Sequence, residues 1–215
     1  MGYNDSGARK ILIDIETAPI ADAADYLEDP TPPSNYGPDA AAKWVVKAKA
    51  EALAKAALDP DLCRIVAIGL LEAPGVPQDA SGDVWLCRDE TEERDALTAF
   101  WARVKGSQFV GFNQVQFDLP VLLRRSLYLN VPAPSISLDK YRHGQLDVMQ
   151  ILALNGALKY RSLSFYLKRF SLPATDGKGS EVPALVAAGD WAAVESHLRA
   201  DLLATASLAQ RVGVL

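Results

Sequence analysis

Residues 11–20 form an apolar run, ILIDIETAPI, that carries two acids inside it. The β-branched isoleucines favour a buried strand over residues 10–15. On a strand, side chains two positions apart lie on the same face, so Asp14 and Glu16 would be neighbours. Two carboxylates side by side in apolar surroundings repel each other and lose hydration. The run therefore predicts both a strand and some partner that compensates its two negative charges, unless the pair faces solvent on an edge strand.

The rest of the 215-residue chain alternates between further strand patterns and helical patterns. Strands are predicted at 63–72, 83–87 and 108–112, and helices at 39–58, 90–104, 118–129, 145–154, 162–170 and 190–211. Loops are predicted at 18–38, which holds five prolines, and at 174–180. Because strands come first and helices then interleave and dominate, we expect one α/β domain over residues 1–215, with a helical and loop insertion at about 18–60.

Composition is that of a globular protein, with 49% hydrophobic and 23% charged residues. No apolar run approaches the ~20 residues that a membrane helix needs, and the polar start lacks the apolar core of a signal peptide. We therefore expect a cytoplasmic protein that does not engage a membrane. Cys63 and Cys87 are expected to be reduced thiols, and the two cysteines and two histidines lack zinc-finger spacing.

The net charge of −5 argues against a purely electrostatic nucleic-acid binder, because such proteins are usually basic. The charge is uneven, however: residues 121–170 carry a net +6 and the remainder −11. Two interpretations stay open. The basic segment is either the solvated face of an acidic protein or a local basic rim beside an acidic pocket.

Two further acids are candidates for the same site because of their positions in the sequence. Asp118 begins a helix that follows a strand, and Asp201 lies in a helix among leucines. Together with Asp14 and Glu16, they could converge on one pocket, where divalent cations would neutralise them. Ligation by carboxylate oxygen alone favours Mg²⁺ or Mn²⁺ over zinc. A pair of such ions is a known device of phosphodiester chemistry.

Three motifs stand in a fixed order along the chain: IDIET (13–17), GFNQVQFDLPVL (111–122) and HLRADLLATASL (197–208). In this order they resemble the motifs of the DEDD superfamily of 3′–5′ exonucleases, the DnaQ-like group. The closest resemblance is to the predicted exonucleases related to the proofreading domain of family B DNA polymerases. The stretches DPDLCRIVAIGL (59–70) and LDVMQIL (146–152) also fit, so the likeness covers nearly the whole chain.

The resemblance implies a ribonuclease-H-like α/β fold with a central mixed five-stranded sheet flanked by helices. It also implies a single exonuclease domain that hydrolyses the terminal phosphodiester of single-stranded DNA and releases mononucleotides by a two-metal mechanism. Two Mg²⁺ or Mn²⁺ ions would be held by the four acids, which would be catalytic. The nucleic-acid partner would be DNA 3′ ends, with a replication or repair protein as a further partner. An RNA or oligoribonucleotide substrate, or a catalytically weakened nucleic-acid-binding module, are the alternatives.

The same resemblance assigns substrate contacts. Thr17 would lie beside the terminal nucleotide, and Asn113 and Phe117 would line the substrate cleft. A strand-end hydroxyl and a core aromatic are the plain alternatives for Thr17 and Phe117. An acid like Asp147 occurs in similar proteins without binding metal, so we expect it to be structural. His143, Lys178 and Ser180 are weaker candidates for contact with substrate.

His197 departs from the family pattern, which has Tyr four residues before the final Asp or His five residues before it. Four residues on a helix leave His197 and Asp201 on one face, ~6 Å apart along the axis. An imidazole there could orient or deprotonate the attacking water, and we predict a catalytic role for it. The alternative is a helix-surface or supporting residue, with activity reduced or lost.

Overall fold

The computed structural model describes residues 9–73, 82–139, 144–175 and 177–215. Its helices and strands follow one another in a strand-rich first half and a helical second half. In chain order they are β1 (Lys10–Pro19), α1 (Pro38–Ala56), β2 (Cys63–Ala73), β3 (Asp83–Leu86), α2 (Glu90–Arg103), β4 (Gln108–Gly111), α3 (Asp118–Tyr128), β5 (Leu146–Asp147), α4 (Val148–Leu152), α5 (Leu163–Arg169), α6 (Val182–Ala188) and α7 (Trp191–Arg211). Short 3₁₀ turns lie at 23–26, 154–156 and 179–181.

The strands form one sheet in the order β3-β2-β1-β4-β5. β1 is antiparallel to β2 and parallel to β4, β2 is antiparallel to β3, and β4 is parallel to β5. The sheet is therefore mixed and five-stranded, and helices cover it, which confirms the predicted α/β class. None of the helices in the described ranges combines the length and the apolar character needed to cross a bilayer.

β1 is the central strand and is buried on both faces. Ile11 and Ile13 belong to the core that α2 and α3 close. Leu12 belongs to the core on the opposite face, which α7 closes through Leu198 and Leu202. Because side chains alternate along a strand, the even-numbered positions after Leu12 also point toward α7. This places the two acids of β1 on the α7 side of the sheet.

Several predicted boundaries differ from the observed ones. The helix predicted at 145–154 begins only at Val148, because Leu146–Asp147 pairs with β4 as the short strand β5. The Asp147 side chain then caps α4 by accepting hydrogen bonds from the backbone N–H groups of Met149 and Gln150. α6 was not predicted, and the predicted loop at 174–180 ends in a 3₁₀ turn. β1 is longer than predicted, since it continues to Pro19.

The segment between β1 and β2 consists of a 3₁₀ turn and α1, whose only buried residue is Ala56. A largely exposed helix is consistent with an insertion between two strands of the sheet. The assignment of residues 18–60 as an insertion nevertheless stays a prediction. Cys63 and Cys87 are both free thiols in the core, as predicted, and burial raises the pKa of each to about 12.

Candidate active site

One cleft of about 190 Å³ collects the acids that the sequence singled out. Asp14 and Glu16 reach it from β1, Asp118 from the first residue of α3, and Asp201 from the middle of α7. Thr17, Asn113 and Phe117 line the same cleft, and so do Ile15, Leu58, Phe112 and Gly179. The structure therefore brings together the predicted acids and the three predicted substrate contacts.

A β-bulge shapes the strand end at the cleft. Glu16 pairs with Ala67 but Thr17 pairs with Ile65, so Val66 of β2 is the extra residue. Bulges of this kind increase the local twist and re-aim neighbouring side chains, and they are common beside active sites. The Thr17 hydroxyl donates a 2.6 Å hydrogen bond to the Ala57 carbonyl, which ties β1 to the end of α1.

The loop between β4 and α3 is held by Asp147. Its carboxylate accepts hydrogen bonds from the backbone N–H groups of Asn113 and Val115, both at 3.1 Å. Asn113 has a positive φ of 65°, a conformation that Asn tolerates better than most residues. Because the carboxylate also caps α4, Asp147 fixes the geometry of the second motif from outside the cleft. This supports the structural role predicted for it.

The cleft acids are strained electrostatically in the absence of a cation. Burial raises the pKa of Asp14 well above its usual value, and the charges of Asp118, Glu16 and Asp201 raise it further. Burial, Asp201 and Asp118 raise the pKa of Glu16 to about 8. Burial raises the pKa of Asp118 to about 7. Within the described ranges, neither Lys nor Arg forms an ion pair with any of these four acids.

His197 stands between two of the acids. Its Nε2 lies 3.5 Å from Glu16 Oε1 and 3.8 Å from Asp201 Oδ2, and the residue is 8% exposed. The predicted shared helix face of His197 and Asp201 is thereby confirmed. Burial raises the pKa of Asp201, while His197 and a hydrogen bond from Thr175 lower it. Gly177 lies next to the imidazole of His197: a Cβ added at this glycine would be 3.2 Å from His197 Nδ1.

The residues present fit divalent cations. Four carboxylates supply only hard oxygen donors, which suit Mg²⁺ or Mn²⁺. Asp201 Oδ1 is buried and has no hydrogen-bond partner among the described residues, so a lone pair is available for an ion. The raised pKa values of Asp14, Glu16 and Asp118 support the same conclusion, because a bound proton neutralises a carboxylate as a bound cation would.

The sequence analysis assigned no role to four residues of the cleft, Ile15, Leu58, Phe112 and Gly179. Leu58 is 66% exposed, just past the end of α1, and Phe112 follows β4 directly. Phe112 lay inside the second motif and could have been found there, whereas Leu58 carries no motif signal. Lys178 lines a different and larger cavity of about 650 Å³, which His197 also lines. His143 lies outside the described residues.

The basic segment 121–170 is not uniformly available as a rim. Arg125 is buried, and its guanidinium donates two hydrogen bonds to Glu93. Arg124 pairs with Asp61 at 2.9 Å. Arg124 is exposed, and so are four further basic side chains of the segment: Lys159, Arg161, Lys168 and Arg169. Lys140 and Arg142 lie outside the described residues, so both interpretations of the segment stay open.

Comparison with known proteins points to one family. Residues 57–214 match the model of a family described as a predicted 3′–5′ exonuclease related to the exonuclease domain of PolB. The matched range contains Asp118, His197 and Asp201, and begins after Asp14 and Glu16. Among curated proteins, no relative matches by sequence.

Two of the solved structures that align with this chain are a DNA polymerase and an exonuclease. The family B DNA polymerase from the hyperthermophilic archaeon Pyrobaculum calidifontis aligns over 99% of this chain with a TM-score of 0.59 and 16% identity. The chain spans 25% of that polymerase's length. Escherichia coli exonuclease I in complex with a dT13 oligonucleotide aligns over 95% of this chain and 41% of its own, with a TM-score of 0.47 and 13% identity.

The family match covers most of the chain, and the polymerase likeness agrees with a ribonuclease-H-like α/β fold. The predicted fold and enzyme class are therefore confirmed. The chain belongs to the family of predicted 3′–5′ exonucleases related to the exonuclease domain of PolB.

Proposed function

We propose that this chain hydrolyses the 3′-terminal phosphodiester of single-stranded DNA and releases mononucleotides. One observation carries the proposal: Asp14, Glu16, Asp118 and Asp201 meet in one cleft from three separate elements, without a Lys or Arg partner among the described residues. A fold does not gather two buried and two half-buried acids without a Lys or Arg partner for its stability, because each loses hydration and repels the others. Their arrangement serves cation binding.

The proposed ions are two Mg²⁺ or Mn²⁺, held by these four carboxylates. Such a pair, when bound, stabilises the charge on the attacking and leaving oxygens of a phosphodiester. The protein contributes the placement of the ligands. β1 fixes two of them on one strand face, and the helices α3 and α7 fix one each, so the donors sit on rigid elements rather than on loops.

The cleft suits a strand end rather than a duplex. Its volume of about 190 Å³ is below the roughly 300–1,000 Å³ of pockets that enclose a whole small molecule. We assign the sugar and phosphate of the last nucleotide to this space, beside Thr17 and Asn113. Phe117 and the exposed Leu58 then offer apolar surface to an unpaired base, in the way that stacking surfaces bind single strands.

His197 is proposed to act on the attacking water. Its Nε2 lies 3.5 Å from Glu16 Oε1 and 3.8 Å from Asp201 Oδ2, so the imidazole stands beside two of the cleft carboxylates. From there it can orient a water molecule and take up a proton, which is the usual task of a histidine in hydrolysis. The predicted cytoplasmic location and the replication or repair partner stay predictions.

The test is a gel assay on 5′-labelled single-stranded DNA and on RNA of the same sequence, with Mg²⁺, Mn²⁺ or EDTA. We expect a metal-dependent ladder that shortens from the 3′ end on DNA. Asp118→Asn should abolish the ladder, and Asp95→Asn, the same substitution at an exposed position of α2, should preserve it. If only the RNA is digested, the substrate is RNA and not DNA. If both kinds of strand stay intact, the proposed function is contradicted.

A further inference from the structure

One imidazole and two carboxylates meet at the edge of the cleft. Ligand atoms from Glu16, His197 and Asp201 all lie within 4.8 Å of one another. The two distances from the imidazole Nε2 are 3.5 Å to Glu16 Oε1 and 3.8 Å to Asp201 Oδ2. His197 and Glu16 are each more than nine-tenths buried, so both are held in place. The group combines one imidazole nitrogen with two carboxylate oxygens.

These distances suit direct coordination of one ion. Donor atoms about 2.0–2.1 Å from a tetrahedral ion are roughly 3.4 Å apart, and adjacent donors around an octahedral ion of the same bond length are roughly 3.0 Å apart. Of these two values, the distances of 3.5 and 3.8 Å from the imidazole Nε2 are nearer the tetrahedral one. Two of the donors are also pre-arranged, because His197 and Asp201 are four residues apart on α7.

The donor set selects the class of ion. Mg²⁺ prefers oxygen ligands and water in a near-ideal octahedron, and imidazole nitrogen is a poor ligand for it. Imidazole with two carboxylates suits Zn²⁺ in a tetrahedral site with an open position. For a given nitrogen and oxygen set, Zn²⁺ also binds more tightly than Mn²⁺.

We propose that Glu16, His197 and Asp201 form an inhibitory Zn²⁺ site. An ion bound there uses two carboxylates that the proposed catalytic cations need, so the two kinds of occupancy exclude each other. It also occupies the lone pair of Nε2, so His197 can no longer accept a proton. Zn²⁺ binding stands on the geometry alone, whereas inhibition rests on the proposed function.

The binding test uses the intact chain without nucleic acid. Zn²⁺ is titrated calorimetrically in the presence of excess Mg²⁺, and Co²⁺ is titrated in parallel as a visible-absorption probe of coordination. We expect wild type to bind Zn²⁺ and to give the intense spectrum of tetrahedral Co²⁺. His197→Gln should weaken Zn²⁺ binding by at least about 100-fold, more than the loss of an outer-shell partner, and should weaken the Co²⁺ band.

The chain offers a matched control, because its other histidine can receive the same substitution. His143→Gln should bind Zn²⁺ as wild type does. Asp201→Asn serves as a second ligand variant and should also lose affinity, and thermal unfolding verifies that each variant is folded. Equal Zn²⁺ affinity in wild type and His197→Gln would overturn the site, whatever the nuclease assay shows.

The inhibition is tested separately. Zn²⁺ added to a Mg²⁺-supported digestion should stop wild type, at concentrations that match the calorimetric affinity. Continued digestion at saturating Zn²⁺ would overturn the inhibitory role. Zn²⁺ binding that depends on His197, in a chain that digests neither DNA nor RNA, would support the site and contradict the proposed function instead.

Discussion

Buried acids occur in two settings in this molecule, on opposite sides of the sheet. On the α2–α3 side, Glu93 is fully buried and fully partnered: it accepts hydrogen bonds from Arg125 at 2.7 and 2.8 Å and from the Ile65 N–H at 2.9 Å. On the α7 side, Glu16 is 7% exposed, and its charged neighbours are three acids, Asp14, Asp118 and Asp201, and His197. One acid ties α2, α3 and β2 together, and the other adds repulsion.

The different partners of Glu93 and Glu16 distinguish acids that stabilise the fold from acids that serve function. A buried carboxylate whose lone pairs are met by guanidinium and amide donors stabilises the fold around it. Asp147 belongs with Glu93, because four backbone N–H groups donate to it. Burial raises the pKa of Asp147 as it does that of the cleft acids, but the cleft acids also repel one another without a Lys or Arg partner among the described residues, and a bound cation relieves that repulsion. The predictions below test this contrast, beginning with the largest effect.

The largest expected effect separates the two glutamates by activity. Glu16→Gln should lower kcat on single-stranded DNA by about 10³-fold, because metal clamping supplies several kcal/mol of transition-state stabilisation and about 1.4 kcal/mol is a factor of ten. Glu93→Gln should keep kcat within a few-fold of wild type at temperatures where it is folded. Single-turnover rates measure both. Equal losses of kcat in the two variants would show that Glu16 and Glu93 do not differ in function.

The second effect reverses the order of the two glutamates in stability. Glu93→Gln leaves Arg125 buried without its charge partner, and breaking a buried pair in this way costs roughly 3–5 kcal/mol. Glu16→Gln removes a repulsive charge, so the metal-free variant should be at least as stable as wild type. Urea unfolding in EDTA measures both free energies. A large loss of stability in Glu16→Gln alone would contradict the comparison.

The third effect is the pH dependence of stability without metal. Burial and repulsion raise the pKa of Glu16 to about 8 and of Asp118 to about 7 in the folded chain. The folded state then binds more protons than the unfolded state from about pH 4 upward, so stability falls as pH rises toward 8. We expect a loss on the order of a few kcal/mol between pH 5 and pH 8.

Saturating Mn²⁺ should remove much of this slope, because the ion takes over the role of the protons. The double variant Glu16→Gln with Asp118→Asn should also flatten it in EDTA. Thermal unfolding across the pH range supplies the measurement. A metal-free wild type that gains stability from pH 5 to pH 8 would show that these acids are not strained.

The smallest effect concerns the loop behind His197. Gly177 and Gly189 both have a positive φ, of 86° and 72°, so Ala costs about 1–2 kcal/mol of stability at either position. Only at Gly177 would the new Cβ press on the imidazole, at 3.2 Å from Nδ1; at Gly189 it meets nothing within 4 Å. Gly177→Ala should therefore lower kcat several-fold while Gly189→Ala preserves it, with unfolding curves showing similar losses of stability. Equal kcat values would show that the ring is not held from this side.

The sequence predicted the central strand and the convergence of its acids because both follow from local patterns. The period of a strand places Asp14 beside Glu16, and the period of a helix places His197 beside Asp201. β5 escaped prediction because a two-residue strand before a helix has no periodicity of its own. Leu58 escaped as well, since only the tertiary path of α1 brings it to the cleft. Arg125 belongs to the basic segment by sequence, and its burial could not be predicted there because its partner, Glu93, lies 32 residues earlier in the chain.

The most direct test of the central claim is the binding of Mn²⁺ to the metal-free chain, measured by calorimetry for wild type, Glu16→Gln and Glu93→Gln under conditions where all three are folded. The account predicts two Mn²⁺ per wild-type chain, a clear loss of affinity in Glu16→Gln, and wild-type binding in Glu93→Gln. Unchanged Mn²⁺ binding in Glu16→Gln, or an equal loss in both variants, would contradict the claim that the acids on the α7 side, which have no Lys or Arg partner among the described residues, are the cation site.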